Sequence, residues 1–131
     1  MIDIEAKVYT PVAAALREAF PGIAVSGEYV KAPSSFPFVS IVEADNYLTR
    51  PDSAEGERYA ALMYEINVYS NKSVGKKSEC RAVLAAADLL MYSLNFTRLS
   101  MTPVPNLEDA SIYRMTARYR AETDGTTIYR R

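Results

Sequence analysis

The side chains that enzymes most often use for acid–base and nucleophilic chemistry are scarce in this sequence. Histidine is absent, and cysteine occurs once, at Cys80. The lack of histidine excludes His-based general bases, Ser-His and Cys-His dyads, and the commonest metal ligand. One cysteine also excludes disulfide frameworks and Cys-cluster zinc sites. Cys80 falls on the apolar stripe of a predicted helix, so we interpret it as a small core residue rather than a catalytic thiol.

Two further patterns could carry chemistry. The run Gly75-Lys76-Lys77-Ser78 superficially resembles the end of a phosphate-binding loop, but the upstream glycine would fall at Ser70 and the spacing before the lysine fails. We interpret both lysines as solvated residues at a helix start. Paired carboxylates, at Asp52 with Glu55 and at Glu108 with Asp109, could perform acid–base catalysis or hold Mg²⁺. They lie in loop-like stretches, where acidic residues are common. The sequence therefore predicts no enzyme, cofactor or metal site.

Length and charge limit the kinds of protein that this chain could be. The chain has 131 residues, with 15 Lys and Arg against 16 Asp and Glu, a formal net charge of −1. This length fits one domain, and there is no overall basic surplus of the kind that marks nucleic-acid binders. The longest apolar stretch, Ala82–Tyr92, contains Asp88 and is too short to cross a bilayer. The first residues are acidic, unlike a signal peptide, so we expect a cytosolic protein.

Two helices are predicted from apolar spacing. In the first, Ile4, Val8, Val12, Leu16 and Phe20 recur every four residues, and Pro21-Gly22 ends the pattern. Pro11 lies inside it and predicts a kink, or a restart with Thr10 as N-cap. The second helix is indicated by apolar residues at three- and four-residue steps: Cys80, Val83, Leu84, Ala87, Leu90, Met91 and Leu94.

Alternating patterns predict the strands. Between residues 60 and 70, Leu62, Tyr64, Ile66 and Val68 fall on one face. A short apolar segment, Ile23–Tyr29, follows the first helix. The other predicted strands are Phe38–Ala44, Leu99–Val104, Ile112–Glu122 and a return through Thr126–Tyr129 after an Asp124-Gly125 turn. Residues 46–58 are polar and predict a long hairpin loop. The result is a single α+β domain over 1–131: a mainly antiparallel four- to five-stranded sheet with two helices packed on one face, in the order α-β-β-β-α-β-β.

The net charge of −1 conceals two oppositely charged segments. Residues 43–58 contain five acidic residues and two arginines, and residues 112–131 contain five arginines and two acidic residues. The basic segment is interleaved with tyrosines, so it could bind a nucleic-acid backbone and stack on bases. Alternatively, its arginines pair with acidic groups, across strands with Glu65 or between subunits with segment 43–58. We favour pairing, because unlike patches on one chain suit head-to-tail rings.

The sheet face away from the helices is the candidate surface for such contacts. Alternation places there Met63, Glu65, Asn67, Tyr69, Ile112, Arg114, Thr116, Arg118 and Arg120. The mixture of Met, Tyr and Arg is typical of protein interfaces, although a solvated face with scattered apolar residues is an equal alternative.

The order of elements, together with YEINVYSN before the second helix and YRMTARYRAETDG near the end, resembles the small tail-terminator, tail-completion and head-tail joining proteins of tailed bacteriophages and prophages. The resemblance covers nearly the whole chain. It implies a non-enzymatic virion protein that assembles in the host cytoplasm and forms a ring, commonly hexameric, at the head-proximal end of the tail. Such a ring stops polymerisation of the major tail tube protein and receives the head connector. DNA passes through its lumen without specific binding, and no membrane is involved.

Charge and alternation, rather than a family motif, assign the individual residues. We expect subunit contacts at Met63, Tyr69, Arg114, Arg118 and Arg120. We expect Asp52, Glu55 and Glu57 to face the lumen or the tail tube. The alternatives are a head-completion or neck protein, a nucleic-acid-binding module that uses the Tyr/Arg strand, and an enzyme that uses only carboxylates, Tyr and Lys.

Overall fold

The chain folds as two helices and six strands within the residues that the computed structural model describes, 1–49, 59–105 and 109–130. In chain order these elements are α1 (Glu5–Ala19), β1 (Ala24–Ser26), β2 (Phe38–Thr49), β3 (Tyr59–Ser70), α2 (Lys76–Ser93), β4 (Thr97–Val104), β5 (Tyr113–Thr123) and β6 (Ile128–Tyr129). The predicted α+β class is confirmed, and the predicted element order matches roughly. The sheet has six strands rather than four to five, because β6, the short return after the Asp124-Gly125 turn, adds a third strand after α2.

The strands form one sheet in the order β1-β2-β3-β5-β4. Only the β1–β2 pair is parallel. β3 pairs with β5 along its whole length, so β6 must lie on the opposite side of β5, where it continues the edge beyond β4. Edge position suits β4, because Pro103 cannot donate a backbone hydrogen bond to a further strand.

The core lies between the helices and one face of the sheet. The alternation predicted for β3 is confirmed: Leu62, Tyr64, Ile66 and Val68 are buried there, with Met115, Ala117, Tyr119 and Ala121 of β5 beside them. Tyr64 and Phe96 meet edge to face with ring centroids 5.3 Å apart, a favourable aromatic geometry. The opposite face of the sheet is therefore left for other contacts.

Helix α1 does not restart at Thr10. It begins after Ile4 and continues through Pro11 to Ala19. Val8 and Val12 are fully buried on either side of the proline and hold both halves against the core. Pro11 itself is exposed, so water can reach the carbonyl that loses its helical donor.

Strand β2 extends further than predicted. Asn46–Thr49, which we expected to open the 46–58 hairpin loop, pair with Tyr59–Leu62 of β3. A register shift between Glu43 and Asp45 marks a β-bulge, which interrupts the alternation from which strands are recognised. Strand pairing therefore continues where the sequence pattern had stopped.

Candidate assembly surface

The open face, defined as the sheet face opposite the helices, is where β3 and β5 place all five predicted contact residues. In the register of these strands Met63 lies opposite Arg120, and Tyr69 lies opposite Arg114. Arg118 lies opposite Glu65. The alternation that puts Tyr64 and Tyr119 in the core puts these side chains on the other side. The structure thus brings the predicted residues together.

Part of the open face is covered by the chain itself. Residues 27–37, here called the cover segment, join β1 to β2. Tyr29 of this segment reaches Arg114 on β5, so the segment must cross β2 and β3. Beneath it Ser40, Asn67 and Thr116 have at most 6% of their surface exposed. No periodic pattern in the sequence indicates this crossing, because residues 33–37, Pro-Ser-Ser-Phe-Pro, are typical of an irregular connector.

A hydrogen-bond network links the cover segment to the sheet. The Asn67 Oδ1 accepts bonds from Arg114 Nε at 3.1 Å, Arg114 Nη2 at 2.8 Å and Thr116 Oγ1 at 2.6 Å. Arg114 Nη2 also donates to the Tyr29 hydroxyl at 2.6 Å. The Arg114 guanidinium lies 5.8 Å from the Tyr29 ring centroid and 5.5 Å from that of Tyr69. These contacts fix Arg114 between two rings as a structural group.

Tyr69 is the predicted contact residue with the least free surface, since only 4% of it is exposed. Its ring packs against Phe38 with centroids 5.9 Å apart. Burial raises the pKa of Tyr69 above its ordinary value, which the nearby Arg114 charge partly offsets. Tyr69 therefore supports the open face from within this chain and has little area left to offer a partner.

Arg118 has an acidic partner within the chain. Its Nε donates to Glu65 Oε2 at 3.2 Å, and Asn67 Nδ2 donates to the other oxygen, Glu65 Oε1, at 3.1 Å. The cross-strand pairing that we expected with Glu65 is confirmed. The Arg118 side chain nevertheless remains 57% exposed, whereas that of Glu65 is 16% exposed. The Arg118 guanidinium thus lies on the solvent side of the Glu65 carboxylate.

The exposed part of the open face combines apolar and cationic groups. We call it the open-face patch and define it by Tyr47, Met63, Leu99, Arg118 and Arg120. Tyr47 is 55% exposed and Leu99 is 44% exposed. With Met63 and Arg120 they line one shallow groove that crosses four strands. The sequence missed Tyr47, which was assigned to a loop, and Leu99, whose face is set by a bulge between Arg98 and Ser100.

An acidic cleft lies at the β1 edge of the sheet, where β1 ends beside β2. We define it by Asp3, Glu5, Glu28 and Glu43, which line one depression with Tyr9 and Val42. Burial raises the pKa of Glu43, and the charges of Asp3 and Glu5 raise it further, against a hydrogen bond that the Tyr64 hydroxyl donates at 3.4 Å. The cleft lining contains no lysine or arginine. The predicted loop residues Asp52, Glu55 and Glu57 lie outside the described residues.

The tyrosines of β5 do not share a face with its arginines. Tyr119 is buried and donates to Asp88 Oδ1 at 2.8 Å, and Tyr113 packs against the core. The arginines point the opposite way. Strand β5 therefore offers charge to a nucleic-acid backbone but no row of rings on which bases could stack.

Among the residues that could have carried catalysis, those that the structure describes have structural roles, whereas Asp52, Glu55 and Glu108 lie outside the described residues. Cys80 is fully buried, its Sγ lies 3.6 Å from the carbonyl oxygens of Val68 and Tyr113, and burial raises its pKa to about 12. Its predicted core position is confirmed. Hydrogen bonds from Ser111 lower the pKa of Asp109, as in a tight turn. Gly75 precedes α2 with a φ of 85°, a left-handed conformation that suits glycine.

The described part of the chain contains neither a metal-binding cluster nor a helix that could span a membrane. Across residues 1–49, 59–105 and 109–130, no group of three or more His, Cys, Asp or Glu side chains is arranged so that it could hold a metal ion. Neither α1 nor α2 is long and apolar enough to cross a membrane.

Comparison with known proteins identifies the fold. No protein-family model matches this chain, and no curated protein matches it in sequence. Among solved structures, the chain is similar to one from the virion of a native gene transfer agent (GTA) particle, with a TM-score of 0.69 and 18% sequence identity. The likeness covers 93% of this chain and 95% of that chain. This protein therefore has the fold of a gene transfer agent virion chain over nearly the full length of both.

Proposed function

We propose that this chain is a structural virion protein of a phage or prophage, which forms a ring at the head-proximal end of the tail. The observation that carries the proposal is the full-length likeness to a chain of a gene transfer agent virion, a phage-like particle. Such a subunit needs surfaces for its neighbours and no catalytic group. The hydrogen-bond network around Asn67 and the Arg118–Glu65 pair fit this role, since they hold the strands and the cover segment in place.

The ring would end polymerisation of the tail tube and receive the head connector. Its partners would be further copies of itself, commonly six in the ring, the major tail tube protein and the connector. DNA would pass through the lumen without specific binding. The ring would assemble in the host cytoplasm and remain in the neck of the virion tail.

The predicted residues take different parts in this proposal. Met63, Arg118 and Arg120 would contact the neighbouring subunit directly. Arg114 and the buried Tyr69 would act as positioning residues, because they hold the cover segment and the open face in shape. Asp52, Glu55 and Glu57 would face the lumen or the tail tube, where negative charge repels DNA phosphates.

The experiment is to measure the mass and shape of the purified protein. Sedimentation velocity and negative-stain microscopy are expected to show a ring of defined stoichiometry whose population rises with concentration. Gold-labelled antibody is expected to mark one end of tail tubes in purified particles. A protein that stays monomeric at high concentration and is absent from particles would contradict the proposal.

The same fold observation supports a head-completion or neck role as a second candidate. The two roles place the ring against different partners. Pull-down with separately purified tube protein and connector distinguishes them: a terminator is expected to retain the tube protein, and a head-completion protein is expected to retain only the connector.

A further inference from the structure

The cover segment lies over a polar row of the sheet. Ser40 of β2, Asn67 of β3 and Thr116 of β5 are neighbours across three strands, since Asn67 lies opposite both Ser40 and Thr116 in the register. Each has at most 6% of its surface exposed. On the core side, by contrast, the same strands bury apolar side chains. Uncovering the row returns polar groups to water, whereas uncovering the core would expose apolar surface, so the row is the less costly of the two to uncover.

One group of this row is unsatisfied while the cover segment lies over it. The Ser40 Oγ is buried and has no hydrogen-bond partner among the described residues. A buried hydroxyl without a partner destabilises the state in which it is buried. The Thr116 Oγ1 donates to Asn67 Oδ1 at 2.6 Å, a bond that does not involve the cover segment. Detachment of the segment would therefore give Ser40 access to water and leave the Asn67–Thr116 bond in place.

The cover segment is held by groups that water can reach. None of its residues, 27–37, is buried. Tyr29, whose hydroxyl accepts the 2.6 Å bond from Arg114 Nη2, is 59% exposed. A bond between accessible groups can be exchanged for bonds to water at little net cost. Regions with few buried side chains and exposed hydrogen bonds open at a lower free energy than the rest of a protein.

Both ends of the cover segment are fixed by strand pairing. β1 pairs with β2 from Ala24 opposite Phe38 to Ser26 opposite Ser40, and Ala24 N donates to Pro37 O at 3.0 Å. The pairing of β3 with β2 and with β5 does not involve residues 27–37. The middle of the segment can therefore leave the polar row while the sheet stays paired.

We propose that the cover segment detaches as a unit from the polar row, with its two ends held in the sheet and the Tyr29–Arg114 bond as its latch. Detachment exposes Ser40, Asn67 and Thr116 while both helices and all strands remain folded. The segment thus controls how much of the open face a second molecule can contact. This inference concerns the single chain, so it goes beyond the proposed function and does not depend on a ring.

The test places a thiol beneath the cover segment of the full-length chain. Ser40→Cys does so at one end of the row, and Thr116→Cys is a second variant at the other end. The fully buried Cys80 of the same molecule is the internal reference for opening of the core. Tyr29→Ala removes the latch. Tyr47→Ala is the matched control, because this tyrosine is 55% exposed on the open face outside the segment.

Each thiol is alkylated with iodoacetamide at pH 8, at a concentration at which the chain is monomeric, and its rate is measured by peptide mass spectrometry. Protection is the rate in urea divided by the rate in native protein, and circular dichroism checks that each variant folds. We expect the thiol at position 40 or 116 to be protected at least about tenfold less than Cys80. Tyr29→Ala is expected to lower the protection of that thiol by a further factor of about three to ten and to leave that of Cys80 nearly unchanged. Tyr47→Ala is expected to change neither.

Two results would overturn the inference. If the thiol beneath the segment and Cys80 are equally protected, the row is reached only when the whole protein unfolds. If the row reacts faster than the core but Tyr29→Ala does not accelerate it, the Tyr29–Arg114 bond is not the latch. Both results come from the monomer, so neither bears on the proposed ring, and a failure to find a ring would leave the labelling result unchanged.

Discussion

Replacing Asn67 by alanine removes the acceptor at the centre of the open-face network. Asn67 is fully buried, and its Oδ1 accepts bonds from Thr116 and Arg114. Thr116 is 6% exposed and would be left with an unsatisfied hydroxyl, which costs about 1–3 kcal/mol beyond the roughly 1 kcal/mol of the lost hydrogen bond. Arg114 is only half-buried, so its guanidinium can bond to water instead, and the loss of its hydrogen bonds to Asn67 adds little to the destabilisation. The expected destabilisation is about 2–4 kcal/mol.

Urea denaturation measures this loss. At a typical m-value for small proteins of about 2 kcal/mol per molar urea, the midpoint of Asn67→Ala is expected to fall by about 1–2 M with m unchanged. Asn71→Ala, at an exposed asparagine, is the matched control and is expected to lie within about 0.5 kcal/mol of the unaltered chain. Tyr29→Phe removes only an exposed hydroxyl and is expected to cost less than about 1 kcal/mol. If Asn67→Ala is as stable as Asn71→Ala, the network does not hold the open face.

Three further predictions follow from buried or crowded groups. Because burial raises the pKa of Cys80 to about 12, native protein at pH 8 is expected to react with iodoacetamide at least about 100-fold more slowly than protein in urea. Tyr119→Phe removes the 2.8 Å bond to Asp88 and is expected to cost about 1–2 kcal/mol in urea denaturation; no change would mean that Asp88 is satisfied without it. Burial and neighbouring acids raise the pKa of Glu43, so its contribution to folding is full below about pH 4.5 and is lost as the pH rises through the raised value. Glu43→Gln is therefore expected to be more stable than the unaltered chain at pH 7, with the difference vanishing towards pH 4 in thermal denaturation; an equal difference at both pH values would contradict this.

Much of the fold could be predicted because its central strands have one buried face. Leu62, Tyr64, Ile66 and Val68 alternate without interruption, and so do the inward residues of β5. A shift of one residue would turn every one of these side chains to the other face, so the pattern identifies the strand and which of its side chains face the core. The same alternation placed Glu65 and the arginines of β5 on one face, and the structure shows that Arg118 is the arginine opposite Glu65.

The remaining features depend on contacts between residues that are distant in the chain. Tyr29 reaches Arg114 across 85 positions of sequence, and no local pattern encodes such a crossing. The bulge after Glu43 breaks the period of two that marks a strand, so Tyr47 was assigned to a loop. Asp3 and Glu5 are favourably placed at the start of α1 by the helix dipole, but nothing in the local sequence shows the cleft that they form with Glu43 of β2.

Glu65 connects the stability of the open face to its capacity for binding. One of its oxygens accepts from the buried Asn67, and the other accepts from Arg118, which belongs to the open-face patch. A side chain that is already held in one geometry loses less conformational entropy when a partner arrives. The network beneath the cover segment thus orients Arg118 before association, and Glu65 holds that guanidinium on the outer side of the sheet. The sequence suggested that the arginines of the basic strand pair with acidic groups. Within the described residues, the largely buried Glu65 is such a partner, and it positions the exposed Arg118 that the proposed function assigns to a subunit contact.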